Sequence, residues 1–185
     1  MRKILKFTIV FILFCYGLMA LKTHSSPDER LIIINEDFWS LIEFSEAHCL
    51  ALNIYHESRS DNLAGQYAVA DVVMNRVESV RYPDTVCGVI YQARTKPSWK
   101  DPEKMIPVRN KCQFSWYCDG KDDTPHETEA WAQAQYVAYS MLHDKLYRGI
   151  TEGATHYHTT YVSPTWNKSF YSVGRIGSHV FFRAD

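Results

Sequence analysis

The chain has 185 residues, of which 46% are hydrophobic and 22% charged, a composition that excludes a disordered or collagen-like protein. It holds 20 basic and 21 acidic side chains, and three of the basic ones, Arg2, Lys3 and Lys6, fall in the first 20 residues. The remainder therefore carries a net charge of −4. Because phosphate binding needs clustered Lys and Arg, this balance excludes a nucleic-acid binder and leaves a neutral glycan or a peptide as ligand.

The N-terminal segment predicts export. A basic leader precedes an apolar run over residues 7–21, which is short for a bilayer span, and Ala20 offers a small residue for cleavage. We expect residues 1–21 to be a signal peptide or an uncleaved signal anchor, residues 22–44 a linker and N-terminal extension, and residues 45–185 the functional domain. The expected location is periplasmic, cell-surface or extracellular, with membrane contact only through the anchor, and we expect a monomer.

Four cysteines remain when Cys15 of the apolar run is set aside, namely Cys49, Cys87, Cys112 and Cys118. An even number in an exported chain favours disulfides. Of the three possible connectivities we favour Cys112 with Cys118 and Cys49 with Cys87. A zinc site is the alternative, but the chain has no Cys-x-x-Cys pair, so the usual ligand spacing is missing.

Apolar residues at spacings of three and four predict three helices in the first half of the domain. The first follows a cap at Ser45 and ends at Glu57 or Ser58. The second covers residues 64–77, after cap candidates at residues 60–62, and a shorter third helix covers residues 86–92. Residues 93–124 hold several prolines and charges and are predicted to be mainly loop.

The second half is predicted to add one long helix and short strands. Thr124-Pro125-His126-Glu127 has the pattern of a capping box with proline at the first helical position, and it leads into a core helix over residues 130–142. Residues 154–162 and 176–182 are rich in β-branched and aromatic side chains, which favours strands. The predicted class is α+β, mainly helical with a small C-terminal antiparallel β region.

Glu57 is the main candidate for catalysis. It shares a predicted helix face with Leu50, Asn53 and Ile54, so its carboxyl points toward the packed side near the helix end. Burial disfavours the charged form of a carboxyl and raises its pKa, which suits a general acid. The competing interpretation is a surface glutamate at a helix terminus.

The segment 113–116 is a candidate for sugar binding. Gln113, Phe114, Ser115 and Trp116 combine an amide, a hydroxyl and two rings, and sugars present both apolar faces and hydroxyl edges. Trp166, which follows a proline, has a similar character. Aromatic core packing explains the same rings equally well.

The histidines near the C-terminus allow two interpretations. His156 and His158 alternate with Tyr157, so on a strand both imidazoles face one side. With His179 they could form a three-histidine zinc site. The alternative is that they only donate and accept hydrogen bonds, and we expect neither a metal nor another cofactor.

Six blocks of the chain, in order, resemble those of the SleB/CwlJ cell wall hydrolases: residues 49–59, 65–70, 72–77, 82–87, 112–116 and 153–158. The resemblance extends from residue 49 to about residue 182. In one departure, Ser58-Arg59-Ser60-Asp61 stands where the family usually has Ala-Arg-Gly-Glu. Loss of that glycine could alter the turn that aims Glu57.

The resemblance implies a lysozyme-like α+β domain that cleaves the MurNAc-GlcNAc strand of peptidoglycan, with Glu57 matching the catalytic glutamate. Members that lyse spore cortex act as lytic transglycosylases, in which the substrate's own C6 hydroxyl attacks the anomeric carbon and no second carboxylate is needed. The expected substrate contacts are Arg59, Gln113, Phe114, Ser115, Trp116, His156, Tyr157, His158 and Trp166.

Three other activities stay open at this point. Asp61 or Asp119 could supply the second carboxylate of a hydrolysing muramidase. The three histidines could instead serve a zinc-dependent amidase that cuts the peptide stem. A non-catalytic glycan-binding module is favoured if Glu57 lies in solvent, away from any groove.

Overall fold

The computed structural model describes residues 46–184. The predictions for residues 1–45, which concern the signal or anchor, the linker and the Ser45 cap, lie outside the described residues. Within residues 46–184 the structure has four α-helices and two small antiparallel sheets. The helices are α1 (Glu46–Ser58), α2 (Leu63–Val77), α3 (Val86–Ile90) and α4 (Thr128–Leu142).

Helix α1 is the centre of the helical part. Nine of its 13 residues are buried, whereas a surface helix would bury one stripe. It contacts α2, α3 and α4 together, and Leu50, Ala51 and Ile54 are fully inaccessible to solvent. This position explains why α1 is buried on more than one face, and it brings the C-terminal turn of α1, which carries Glu57, to the edge of the core.

Two of the helix starts have local side-chain caps, and the cap of α2 lies among the residues that the sequence predicts. The side chain of Asn62 accepts a hydrogen bond from the Gly65 amide at 2.9 Å at the start of α2. Thr85 accepts from the Gly88 amide at the start of α3. Both helices therefore begin within one residue of their predicted starts, while α3 ends at Ile90, two residues earlier than predicted.

The predicted capping box before α4 is wrong. The helix begins after Glu127, and no side chain caps it. The amides of His126 and Glu127 instead donate to the hydroxyl of Tyr55 on α1, at 3.1 and 3.2 Å. A tertiary partner has replaced the local cap, because Tyr55 offers an acceptor at the end of the central helix.

The prediction that residues 93–124 are mainly loop is also wrong. They contain a hairpin of β1 (Ala93–Pro97) and β2 (Met105–Cys112), paired antiparallel, and a 3-10 helix at Ser115–Cys118. Most residues of both strands are exposed or half-buried, so the apolar alternation that marks a strand with one buried face is missing. Backbone pairing alone defines this hairpin.

The C-terminal sheet has three antiparallel strands in the order β3 (His156–Thr159), β5 (His179–Arg183), β4 (Tyr171–Ile176). The run predicted as one strand over residues 176–182 is interrupted by a turn at Gly177, whose φ of 59° suits glycine. Strand β4 was not predicted. The predicted α+β class, mainly helical with a small antiparallel β region, is confirmed.

Two disulfides connect these elements. Cys49 of α1 is joined to Cys87 of α3, and Cys112 at the end of β2 is joined to Cys118 of the 3-10 helix. The pairing is the one that the sequence favours. No helix in residues 46–184 combines the length and apolarity needed to cross a membrane.

The two disulfides are expected to differ in their contribution to stability. They join residues 38 and 6 positions apart, and a longer closed loop restricts the unfolded chain more. Replacing Cys49 and Cys87 by alanine should lower the free energy of unfolding by about 4 kcal/mol, against about 2 kcal/mol for the Cys112 and Cys118 pair. Denaturant unfolding of both double variants measures the difference, and the reverse order would contradict this account.

Candidate active site

An open cleft of about 470 Å³ lies at the C-terminal end of α1. One wall is the last turn of α1 with Glu57, and another comes from residues within 115–127. Thr159 and His179 of the C-terminal sheet close the third side. The volume falls in the range typical of ligand sites in proteins. Glu57 thus lies in a groove between the helical part and the sheet, and not on an isolated surface.

The Glu57 carboxyl is half-buried and bonded on one side only. Its Oε2 accepts a hydrogen bond from the Tyr157 hydroxyl at 3.1 Å, while Oε1 has no hydrogen-bond partner among residues 46–184. Burial raises the pKa of Glu57 above its ordinary value, and the Tyr157 hydrogen bond and the charge of Arg76 offset this only in part. The geometry therefore favours a carboxylic acid with one oxygen free toward the cleft.

Two residues, Arg76 and Tyr157, interact with the Glu57 carboxyl. Arg76 of α2 is buried, donates from Nε to the Thr155 carbonyl at 2.8 Å, and lies against the Phe114 ring. Burial and the neighbouring Glu57 raise the pKa of Tyr157 well above its ordinary value, so this phenol stays a donor. Arg76 is not among the site residues predicted from the sequence. Its position in the otherwise apolar stripe of a helix indicates a buried charge, and that pattern could have identified it.

Three of the expected substrate contacts line the cleft, namely Arg59, Ser115 and Trp116. Arg59 is exposed and forms an ion pair with Glu127 at 2.9 Å. Trp116 is buried, with 7% of its surface exposed; its indole nitrogen donates to the Asn53 side chain at 3.1 Å, and its ring stacks on His56. Trp116 is therefore a wall of the cleft held by the core.

Other expected contacts lie elsewhere. Phe114 is 3% exposed and belongs to the main core, which corrects its prediction as a sugar contact. Gln113 is exposed and lies outside the cleft. Its backbone N–H donates to the backbone carbonyl of Gln92. Tyr157 contacts the Glu57 carboxyl and not the open part of the groove.

The strand register separates the histidines. Tyr157 pairs with Phe181 and Thr159 with His179, so His179 shares the face of Tyr157. His156 and His158 point to the opposite face, where both make ring contacts with Trp166. The geometry therefore brings none of His156, His158 and Trp166 into the cleft with Glu57.

The three-histidine zinc site is wrong for the same reason, because His179 lies across the sheet from His156 and His158. No cluster of three His, Cys, Asp or Glu side chains placed to bind a metal occurs in the described part of the chain.

The Asp61 carboxylate is bound by donors from the turn between β4 and β5. It accepts hydrogen bonds from the Ser178 amide at 3.0 Å, the Ser178 hydroxyl at 2.8 Å and the Asn62 amide at 2.9 Å. Burial alone would raise the pKa of Asp61, but these donors and His179 outweigh it and hold the pKa below its ordinary value. Asp61 does not line the cleft, whereas Asp119 does.

Comparison with known proteins identifies relatives of the chain. The profile of the cell wall hydrolase family matches residues 60–182. Two similar curated proteins are spore cortex-lytic enzymes: one from Oceanobacillus iheyensis is 33% identical over 69 residues, covering 37% of this chain and 25% of that protein. The other, from Halalkalibacterium halodurans, is 29% identical over 138 residues, covering 74% of this chain and 34% of that protein. The chain thus spans about a third or less of these relatives.

A solved structure agrees with this relationship. The catalytic domain of the germination-specific lytic transglycosylase SleB from Bacillus anthracis is 26% identical, with a TM-score of 0.54. The match covers 75% of this chain and 93% of that domain. The expected lysozyme-like α+β fold is confirmed.

Burial of Glu57 is expected to reduce stability at neutral pH. The folded state retains a proton that the unfolded chain releases above about pH 4.5, so stability falls as the pH rises from there through the folded-state pKa. Glu57→Gln, which stays neutral, should raise the free energy of unfolding at pH 7 by roughly 1 kcal/mol and change it less at pH 4. Denaturant unfolding at both pH values tests this, with exposed Glu129→Gln as control. An equal effect at the two pH values would contradict the raised pKa.

Proposed function

Because the chain belongs to the cell wall hydrolase family, we propose that it cleaves the glycan strand of peptidoglycan as a lytic transglycosylase, with Glu57 as general acid. The observation that carries this proposal is a half-buried carboxyl of raised pKa, with one free oxygen, in an open cleft. A group that must donate a proton near neutral pH needs such surroundings. The similarity to the catalytic domain of a germination-specific lytic transglycosylase supports the choice of reaction.

The reaction needs only one carboxyl group. Glu57 donates its proton to the O4 oxygen of the departing GlcNAc, and the bond from that oxygen to C1 of MurNAc breaks through an oxocarbenium-like state. The C6 hydroxyl of the same MurNAc then attacks C1 and closes a 1,6-anhydro ring. Since the nucleophile is part of the substrate, no second carboxylate has to activate water.

Tyr157 and Arg76 prepare Glu57 for this step. The Tyr157 hydroxyl occupies Oε2, so the acidic proton is directed to Oε1, the oxygen that is free to meet the sugar. The positive charge of Arg76 stabilises the carboxylate that remains after the proton has left. Both contacts lower the pKa of Glu57 relative to the effect of burial alone, so the acid is still able to give up its proton.

The substrate contacts follow from the lining of the cleft. Arg59 and Ser115 present a guanidinium and a hydroxyl to the groove, and the largely buried Trp116 contributes an apolar wall. Hydroxyl-rich sugars with apolar faces suit this combination. The other contacts suggested by the sequence lie outside the cleft and are not part of this proposal.

We place the activity outside the cytoplasm. Peptidoglycan lies there, and two disulfides are the usual feature of a small domain in an oxidising compartment. Export by residues 1–21, as a signal peptide or a membrane anchor, is part of the same proposal. The curated relatives are named spore cortex-lytic enzymes, and we extend to this chain the lysis of peptidoglycan but not a role in spores.

Replacing Glu57 tests the proposed acid. Glu57→Gln keeps the shape of the side chain and removes its proton, so turnover of purified peptidoglycan should fall by at least about 100-fold. Mass spectrometry of the wild-type digest should find anhydro ends, which are lighter than reducing ends by one water. Asp119→Asn is the matched carboxyl in the cleft and should cost less than about tenfold. Reducing ends together with a large loss in Asp119→Asn would indicate a hydrolysing muramidase, and an active Glu57→Gln would refute the proposal.

Removal of metal separates this proposal from the amidase. Because the reaction uses a carboxylic acid and the substrate's own hydroxyl, the protein should keep its full rate after dialysis against a chelator. Release of stem peptides, abolished by the chelator and restored by zinc, would instead identify a zinc amidase.

A further inference from the structure

His179 lines the same cleft as Glu57 and takes no part in the mechanism above. It is 4% exposed, and its Nδ1 lies 3.3 Å from Oδ2 of Asp61 and 3.2 Å from the Ser178 hydroxyl. Its Nε2 makes no hydrogen bond to residues 46–184 and is not sealed from solvent. The imidazole is therefore held on one side and free on the other.

Tyr157 lies between the two cleft residues. Its hydroxyl donates to Glu57. Its ring is T-shaped to the His179 ring, with the ring centroids 5.1 Å apart and an interplanar angle of 85°. Tyr157 and His179 stand on neighbouring strands of the sheet and on the same face. Glu57 and His179 thus flank Tyr157, and both line the cleft in which the sugar is proposed to bind.

Asp61 selects one tautomer of His179. The carboxylate accepts from the Ser178 amide, the Ser178 hydroxyl and the Asn62 amide, which fix its position and favour its charged form. A charged acceptor at Nδ1 favours the hydrogen on that nitrogen. The lone pair then resides on Nε2, the nitrogen without a protein partner.

We propose that His179 is a second catalytic residue, whose Nε2 accepts the proton of the MurNAc C6 hydroxyl while Asp61 positions the ring. This inference rests on the proposed transglycosylase function. In the step, the C6 oxygen forms its bond to C1, the bond from C1 to O4 breaks, and O4 takes the Glu57 proton. The C6 proton moves to Nε2, and solvent afterwards returns a proton from the imidazolium to Glu57. No water is consumed.

The surroundings hold both residues in the forms that this step requires. Burial lowers the pKa of His179, with a further decrease from His158, while Asp61 opposes the change. Burial raises the pKa of Glu57. The opposite shifts favour protonated Glu57 and neutral His179, the forms that this step needs from an acid and a base.

The carboxylate left on Glu57 is the alternative acceptor of the C6 proton. The Tyr157 hydroxyl and the Arg76 charge both stabilise it as an anion, which opposes the effect of burial on its pKa. His179 has Asp61 in place as the counter-charge for an imidazolium, which opposes the effect of burial there. The two alternatives differ in the residue whose loss removes base catalysis.

The test uses two replacements of His179 in the full chain. Asn carries an amide N–H close to the position of Nδ1, so His179→Asn keeps the donation to Asp61 and removes Nε2. Gln places an oxygen near Nε2 that accepts a hydrogen bond but is not a base. The formation rate of anhydro ends from purified peptidoglycan is measured from pH 4 to 9, with thermal unfolding of each variant and exposed His143→Asn as control.

Both variants should form anhydro ends at least about 100-fold more slowly, with thermal midpoints near that of the wild type. The acidic limb of the wild-type pH profile, where His179 becomes protonated, should disappear. A wild-type rate in His179→Asn, or a slower rate with an unchanged acidic limb, would overturn this inference. If the wild type forms anhydro ends and Glu57→Gln does not, the proposed function stands in either case.

Asp61→Asn tests the positioning residue. Loss of the negative charge lowers the pKa of His179, because the Asp61 carboxylate is the group that opposes the effect of burial. The acidic limb should shift to lower pH, and the maximal rate should fall. Asp61→Glu, which keeps the charge, should retain the position of the limb. An unchanged limb in Asp61→Asn would show that Asp61 only supports the turn.

Discussion

The site depends on the hydrogen bond between the Tyr157 hydroxyl and Oε2 of Glu57, two residues 100 positions apart in the chain. Glu57 belongs to the central helix and Tyr157 to the C-terminal sheet, and the cleft opens where these two parts meet. The bond fixes the direction of the carboxyl and divides its oxygens into one that is held and one that is free. A helix end alone would leave Glu57 as an ordinary surface glutamate.

The position of Tyr157 is in turn set by α2. Asp71 is fully buried and accepts from the amides of Gly149 and Thr151, at 2.9 and 3.1 Å. One turn later, Asn75 donates to the Ala154 carbonyl and Arg76 to the Thr155 carbonyl. These bonds fix the chain that leads into β3. Removing one partner from such buried networks costs several kcal/mol, so the polar residues of α2 are structural as well as electrostatic.

The sequence predicts what depends on local periodicity. Helices α1 and α2, the Asn62 cap and the inward direction of Glu57 follow from apolar spacing, and the alternation of His156 and His158 places both on one face. It fails where a distant partner decides. Tyr55 replaces the capping box of α4, and the pairing of β3 with β5 sets the face of His179. Neither contact has a local signal, because each joins segments that are far apart in the chain.

Two carboxyl groups near one cleft show how the same fold separates acid from base. Glu57 is buried with a single donor, so desolvation prevails and its pKa rises. Asp61 is also buried, but several donors from Ser178 and Asn62 reverse the effect and its pKa falls. The donors to Asp61 outweigh the effect of its burial, whereas the single donor to Glu57 does not outweigh the effect of burial there. In the proposed mechanism this difference suits Glu57 to the role of the acid and Asp61 to that of the counter-charge for His179, and it links the turn between β4 and β5 to the chemistry of α1.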